Sequence, residues 1–240
     1  MASGFAALRA RAEKRKGGAA ALAALLPEAA DNAALATIPD DRILAGMTRR
    51  IFCAGFVWRV IEQKWPGFEA AFLGFSPQRL VFEPDEFWEK LASDERIVRY
   101  GAKIAAVREN ALFVSRIAKE RGSFGRLLAD WPADDEIGLL NFLSRYGARL
   151  GGMTGQYFLR FIGWDTFILS RDVLAALREA GVPLSEKATS KRDLAAAQAA
   201  FNAWAKETGL SRGQLSRVCA MSAGDNYDAQ ILRERMHSED

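Results

Sequence analysis

Asp172 stands seventeen residues after Gly155, at the start of a helical pattern that Ser170 is placed to cap, and Gly155 closes the stretch LGGMTG, Leu150 to Gly155. Glycine takes positive φ without strain and lets another backbone, or a phosphate, come close. Apolar helix-like runs flank the stretch, so it reads as a hairpin between two helices. Such a hairpin can aim several backbone N–H groups, with the second helix's positive end, at one phosphate. That is a sequence-independent grip on a nucleic-acid backbone. The same six residues can equally be a plain connector with a glycine cap. A carboxylate at Asp172 sits near whatever the hairpin holds, or else only complements its helix dipole, a gain of about 0.3–1 kcal/mol. Asp165, in GWDTF, is the second candidate carboxylate, with an ordinary loop residue as its alternative reading.

Composition narrows the chemistry to carboxylates. The chain has one histidine, His237, near its end, which argues against a His-based triad, an HExxH zinc site and a Cys/His zinc cluster. Its two cysteines, Cys53 and Cys219, are far apart in apolar helical patterns and fit reduced thiols in a cytosolic protein better than a disulfide scaffold. The net charge of +3 on 240 residues does not by itself announce a nucleic-acid partner. Its distribution is uneven: Arg9, Arg11, Lys14, Arg15 and Lys16 make a basic N-terminal block. No run reaches the length of a membrane span, so no membrane partner is expected. Glu13 and the pair Gly17-Gly18 interrupt what otherwise resembles a transit peptide.

The elements that must position these residues are helices. Apolar residues recur at three- and four-residue spacing and no stretch alternates like a strand, so the fold class is all-α. One long helix is expected from Asp40 to Lys64, ending before Pro66, followed by short helices in PGFEAAFLGF, SPQRLVF and PDEFWEKLAS. A second long helix runs from Ala102 to Arg121 and stops at Gly122. Others are expected at Asp134 to Tyr146, Gly155 to Phe161 and in SRDVLAALREAG, then at Arg192 to Thr208, Ser211 to Ala223 and Tyr227 to Met236. Residues 1–34 read as a basic, Ala-rich arm or appended helix. Residues 35–236 read as one helical domain, with the hairpin at 150–155 and the helices of 191–236 completing it. The AWAKETGLSRGQLSRVCAMSA segment imitates a helix-turn-helix, a pattern that two packed helices reproduce easily.

Three segments, in order, resemble a known family. AGFVW at Ala54 to Trp58, with FEAAFLGFSP after it, is similar to the Ala-Gly-Leu-Ser-Trp and Phe-x-x-Phe-(Asp/Ser)-Pro of the DNA 3-methyladenine glycosylase I group. IVRYGAKIAAVRENA, Ile97 to Ala111, resembles that group's signature at Arg99, Lys103, Ile104, Ala106, Asn110 and Ala111. LGGMTG and FILSRDV resemble the hairpin and catalytic-aspartate segment of the wider helix-hairpin-helix glycosylase superfamily. The likeness spans about Asp40 to Gly181. It implies two helical subdomains flanking a cleft, and a monomeric enzyme acting on double-stranded DNA that contains a damaged base. It also implies a cytoplasmic, nucleoid-associated protein of bacterial type.

By the same resemblance Asp172 falls on the superfamily's catalytic aspartate, which stabilises the oxocarbenium-like sugar or orients the attacking water. The damaged base is flipped out of the duplex and held between aromatic faces; Trp58, Tyr157, Trp164 and Tyr100 are the candidates for that pocket, with core packing as the alternative for each. Gly151, Gly152, Thr154, Gly155, Lys103 and Arg99 are the candidates to hold DNA phosphate, the two cations otherwise being a solvated face. The departures are as informative. The group's early Tyr-His-Asp-x-Glu-Trp-Gly motif and its zinc-binding Cys and His residues are absent, so no metal or other cofactor is expected. Arg50 occupies the place of the group's base-contacting Glu, and a cation there opposes a cationic purine. Tyr157 stands where strand-cleaving members carry Lys, which implies a monofunctional enzyme. The competing reading is a non-catalytic hairpin module that binds DNA without a base pocket.

Overall fold

The computed structural model describes residues 4–227. His237, the acidic end and, beyond Tyr227, the helix expected to reach Met236 lie outside the described residues. Those residues contain helices and no strand, as the all-α reading requires. In chain order the helices are α1 (Gly4–Lys16), α2 (Ala19–Ala23), α3 (Asp40–Cys53), α4 (Trp58–Ala71), α5 (Pro77–Leu80), α6 (Asp85–Leu91) and α7 (Gly101–Arg121). Then come α8 (Phe124–Asp130), α9 (Glu136–Tyr146), α10 (Gly152–Ile162), α11 (Arg171–Glu179), α12 (Lys191–Thr208) and α13 (Arg212–Ser222). Local signals set several of these ends. Ser123, Ser170, Ser190 and Ser211 each accept a first-turn N–H at a helix start, and Gly122 ends α7 at φ 88°, a conformation that favours glycine.

The chain forms two units, one of residues 31–132 and 138–164, the other of 1–30, 133–137 and 165 onward. In the first, α3 buries Ile43, Leu44, Met47, Ile51 and Phe52, and the long α7 buries Ile104, Val107, Ala111, Val114 and Ile117. Both stripes repeat at three and four residues, the spacing that brings side chains to one helix face. Asp40, in the first turn of α3, accepts the Phe124 N–H at 2.8 Å, so one carboxylate serves the starts of both α3 and α8.

The single helix expected from Asp40 to Lys64 is two helices. Residues 54–57 leave the helical path, with Ala54 extended (φ −66°, ψ 113°) and Gly55 at φ 78°. Nor does Pro66 end a helix: it lies inside α4. A mid-helix proline costs about 3 kcal/mol, and the aromatic packing that follows it offsets that cost. Trp65 stacks on Phe68 at 5.4 Å and on Phe75 at 5.3 Å, and Phe72 stacks on Phe75 at 5.5 Å. Each fully buried ring contributes about 1.5–3 kcal/mol.

In the second unit α1 is a packed helix whose Phe5, Leu8 and Ala12 are buried, with the Phe5 ring 5.2 Å from that of Trp204. Much of its basic block is engaged within the unit. Arg11 pairs with Glu179, and Arg15 donates to the carbonyls of Ser222 and Gly224 at 3.3 and 2.7 Å. The buried Glu136 accepts from the Thr166 hydroxyl at 2.6 Å and the Phe167 N–H at 2.9 Å, which fixes the extended segment leading to Ser170 and α11.

Candidate functional site

The turn joining α9 to α10 is built around a side chain from α7. Asn110, wholly buried, donates its amide to the Ala148 carbonyl at 3.0 Å and accepts the Ala148 N–H at 2.8 Å. Leu150 plugs the turn into the core. The glycines are needed for room and for backbone angle: a Cβ on Gly155 would lie 2.5 Å from the Leu150 carbonyl oxygen, and Gly152 sits at φ 57°. Gly151 caps α10 without a capping side chain, so the N–H groups of Gly152, Met153 and Thr154 have no i−4 partner within the helix and stand at its positive end, while that of the buried Gly155 has the Gly151 carbonyl as its helical acceptor.

A second feature lies at the C-terminus of α3. Lys103 is buried, and its ammonium donates to the carbonyls of Phe52 at 3.2 Å and Ala54 at 2.5 Å. It also lies 4.4 Å from the Phe56 ring and 5.6 Å from that of Tyr100. A cation at a helix C-terminus satisfies carbonyls that the helix leaves open. Lys103 therefore holds the 54–57 segment in place rather than facing outward for a phosphate. Immediately after that segment Trp58 is 41% exposed, and Tyr100, edge-on to Phe56 at 6.0 Å, is 43% exposed.

Burial, reinforced by the Arg149 charge, holds the Lys103 pKa below the ordinary lysine value of 10.5. Between the lowered value and 10.5 the unfolded chain keeps a proton that the folded chain releases, so Lys103's contribution to stability grows as pH rises through that window. Lys103→Met is expected to destabilise the protein by about 1–3 kcal/mol at neutral pH, through loss of charged hydrogen bonds. Urea titration measures this, and the deficit should widen at a pH of about 10.

Two further expected pocket residues meet over one ring. The Arg50 guanidinium, on α3, lies 3.8 Å over Phe161 of α10, and the Tyr157 ring is 6.3 Å from it. Tyr157 is 39% exposed. Arg99 is exposed, with Glu95 at 3.9 Å. Trp164 packs in the core instead: it is 1% exposed and its indole donates to the Leu128 carbonyl at 3.2 Å, so it presents no face to a base.

The two candidate carboxylates belong to the other unit and differ in their engagement. Asp165 accepts the backbone N–H of Arg212 at 3.0 Å and of Gly213 at 2.9 Å, and its carboxylate lies 3.4 Å from the Arg212 guanidinium. It caps the start of α13. Asp172, in the first turn of α11 behind the Ser170 cap, is half-buried. Its carboxylate occupies the space that a side chain on Gly224 would fill. Among the described residues no hydrogen bond or ion pair engages it, so it is the less committed of the two. No cluster of three or more His, Cys, Asp or Glu side chains is placed to hold a metal ion among the described residues, and no helix there is long and apolar enough to cross a membrane.

The family model of the methyladenine glycosylases matches residues 37–138. Over that span, which carries Arg50, Trp58, Tyr100, Lys103 and Asn110, the chain is methyladenine glycosylase-like. Among solved structures it is similar to 3-methyladenine DNA glycosylase I from Staphylococcus aureus, at 23% identity over 52% of this chain and 77% of that one, with a TM-score of 0.47. It is also similar to a variant of 3-methyladenine DNA glycosylase I in complex with 3-methyladenine, at 20% identity over 57% of this chain and 82% of that one, with a TM-score of 0.48. No curated protein matches.

Proposed function

We propose that this protein is a monofunctional DNA glycosylase that hydrolyses the N-glycosidic bond of an alkylated purine in double-stranded DNA. The observation that carries the reading is the methyladenine glycosylase match over residues 37–138, the segment that supplies the exposed Trp58 and the Lys103-anchored turn before it. In this reading the hairpin N–H groups from Gly151 to Thr154 hold a backbone phosphate, and Gly155 gives the turn the room it needs. Trp58 and Tyr157 receive the flipped base, an electron-rich ring adding about 0.5–2 kcal/mol against a cationic one. Asp172 stabilises the positive charge that grows on the sugar, or orients the water that captures it. Tyr157, in the place of the strand-cleaving members' Lys, leaves water as the nucleophile.

Arg50 sharpens the choice of lesion. Its guanidinium lies over the Phe161 ring that Tyr157 also neighbours, and a cation there disfavours a cationic base relative to a neutral one, so the two kinds of lesion should be compared. Purified protein is expected to release base from duplex oligonucleotides bearing a single 3-methyladenine, 7-methylguanine or hypoxanthine, leaving an abasic site on an unbroken strand. Gel analysis before and after alkali reads both outcomes. Absence of release from all three lesions would overturn the proposal and leave the non-catalytic DNA-binding reading; a strand cut before alkali would overturn the monofunctional part.

A further inference from the structure

The arginines around the hairpin are held differently from others on the surface. Arg11, Arg42 and Arg96 each sit against a carboxylate, of Glu179, Glu69 and Asp94 respectively. Beside the hairpin turn, by contrast, the guanidiniums lie on tyrosine rings. Arg116 of α7 and Arg145 of α9 are each 5.3 Å from the centroid of Tyr146, and Arg149, in the turn itself, is 5.9 Å from that of Tyr100. Among the described residues none of these three arginines is paired with a carboxylate.

The platform is backed by aromatic packing. Tyr146 is 44% exposed, and its ring is backed by Phe142 at 5.1 Å, which in turn meets Trp131 at 5.4 Å. A guanidinium laid on an aromatic face keeps its full charge and has its N–H edges directed outward. One opposite a carboxylate is neutralised instead. Arg149 is fixed further: its Nε donates to the Ala102 carbonyl at 3.2 Å, which leaves its two amino groups for a bidentate acceptor.

We infer that Arg116, Arg145 and Arg149 form a phosphate-binding row beside the hairpin that seats the backbone of duplex DNA, with Tyr146 as the platform that aims two of them. The inference rests on the DNA-directed reading above for the identity of the polyanion, and on geometry for the row itself. The row supplies fixed, unneutralised charge on the two helices and the turn next to the α10 N-terminus, and so extends a single-phosphate grip along the strand. Base identity plays no part in it.

The test is the salt dependence of binding to an undamaged fluorescent duplex, read by anisotropy, for the full-length protein and two charge-matched variants. One carries Arg116→Gln, Arg145→Gln and Arg149→Gln; the other carries Arg79→Gln, Arg121→Gln and Arg126→Gln, exposed arginines elsewhere in the same unit. Every phosphate that the protein no longer neutralises reduces the slope of log affinity against log salt by about 0.9, so the first variant should lose about 2–3 in slope and the second less than about 1. The single variant Arg145→Gln should lose about 1, which keeps the test open should the triple variant fold poorly. Equal slopes for the two triple variants, or an unchanged slope in Arg145→Gln, would overturn the row. Base release by the unaltered protein is scored separately. Release with equal slopes sinks the row and leaves the enzyme; a row-dependent slope without release sinks the enzyme and leaves the row.

Discussion

Asp172→Asn is expected to slow single-turnover base release by on the order of 10³-fold, the scale of a fixed charge or general base removed from a transition state. Asparagine keeps the shape of the side chain and the Ser170 cap of α11 and removes only the charge. The fold should therefore lose no more than the dipole gain of a first-turn acid, about 0.3–1 kcal/mol. Binding to damaged duplex should be unchanged or tighter, because the variant removes a negative charge from a protein that binds a polyanion. That combination separates a catalytic carboxylate from a structural one.

Asp165 makes the internal comparison. Two backbone N–H groups and the Arg212 guanidinium already engage it, so Asp165→Asn should register in a thermal melt more than in the rate of release. If Asp172→Asn releases base at the rate of the unaltered protein, the mechanism proposed for Asp172 is wrong. The packing of Gly224 against the Asp172 carboxylate fixes where that charge stands. A methyl group there would collide with the carboxylate on a backbone already at φ 60°.

What the sequence made legible was whatever local chemistry decides. Ser170, Ser190 and Ser211 announce helix starts because a hydroxyl accepts a first-turn N–H, and Gly122 announces an end because glycine takes positive φ. The same locality explains the misreadings. Residues 54–57 continue an apolar helical period, yet the helix stops there, and Lys103, fifty residues from Cys53, holds the carbonyls on either side. Pro66 reads as a stop, yet aromatic packing carries α4 past it. That residues 1–30 share a unit with 165 onward depends on which apolar faces meet, and a helical stripe does not name its partner. In the candidate site, the glycines of the turn follow from residue type. The burial of Trp164 and Lys103 does not, since an aromatic or a long cation suits core and surface equally well on sequence grounds. Arg116, Arg145 and Arg149 carried no signal at all, being isolated cations until Tyr146 and Tyr100 come beside them.

Asn110 is the clearest case of a residue noticed for its pattern whose work only geometry explains. It stands in the α7 segment IVRYGAKIAAVRENA, and a polar residue in a buried helical stripe needs a partner. Ala148, in the turn before the hairpin glycines, supplies both halves of that partnership. Asn110→Ala removes donor and acceptor together and leaves the Ala148 N–H and C=O without them. Ala148 is half-buried, and each group orphaned away from water costs up to about 1–3 kcal/mol, so a loss of about 2–5 kcal/mol is expected, or roughly 5–15 °C in melting temperature for a chain of this size.

The functional consequence should exceed what global stability explains. The turn that aims the α10 N–H groups, and that carries Arg149, loses its tie to Asn110. Affinity for undamaged duplex should fall about tenfold or more even at temperatures where the variant remains folded, since a misplaced charged hydrogen bond is worth about 1.5–3 kcal/mol. Asn110→Asp is the sharper variant. It still accepts the Ala148 N–H but sets a carboxylate against the Ala148 carbonyl, and a buried charge facing an acceptor is costlier than an absent donor. It should therefore melt at or below the alanine variant. If both variants bind duplex DNA as tightly as the unaltered protein, the turn does not hold the backbone, and the glycines of LGGMTG serve only to join two helices.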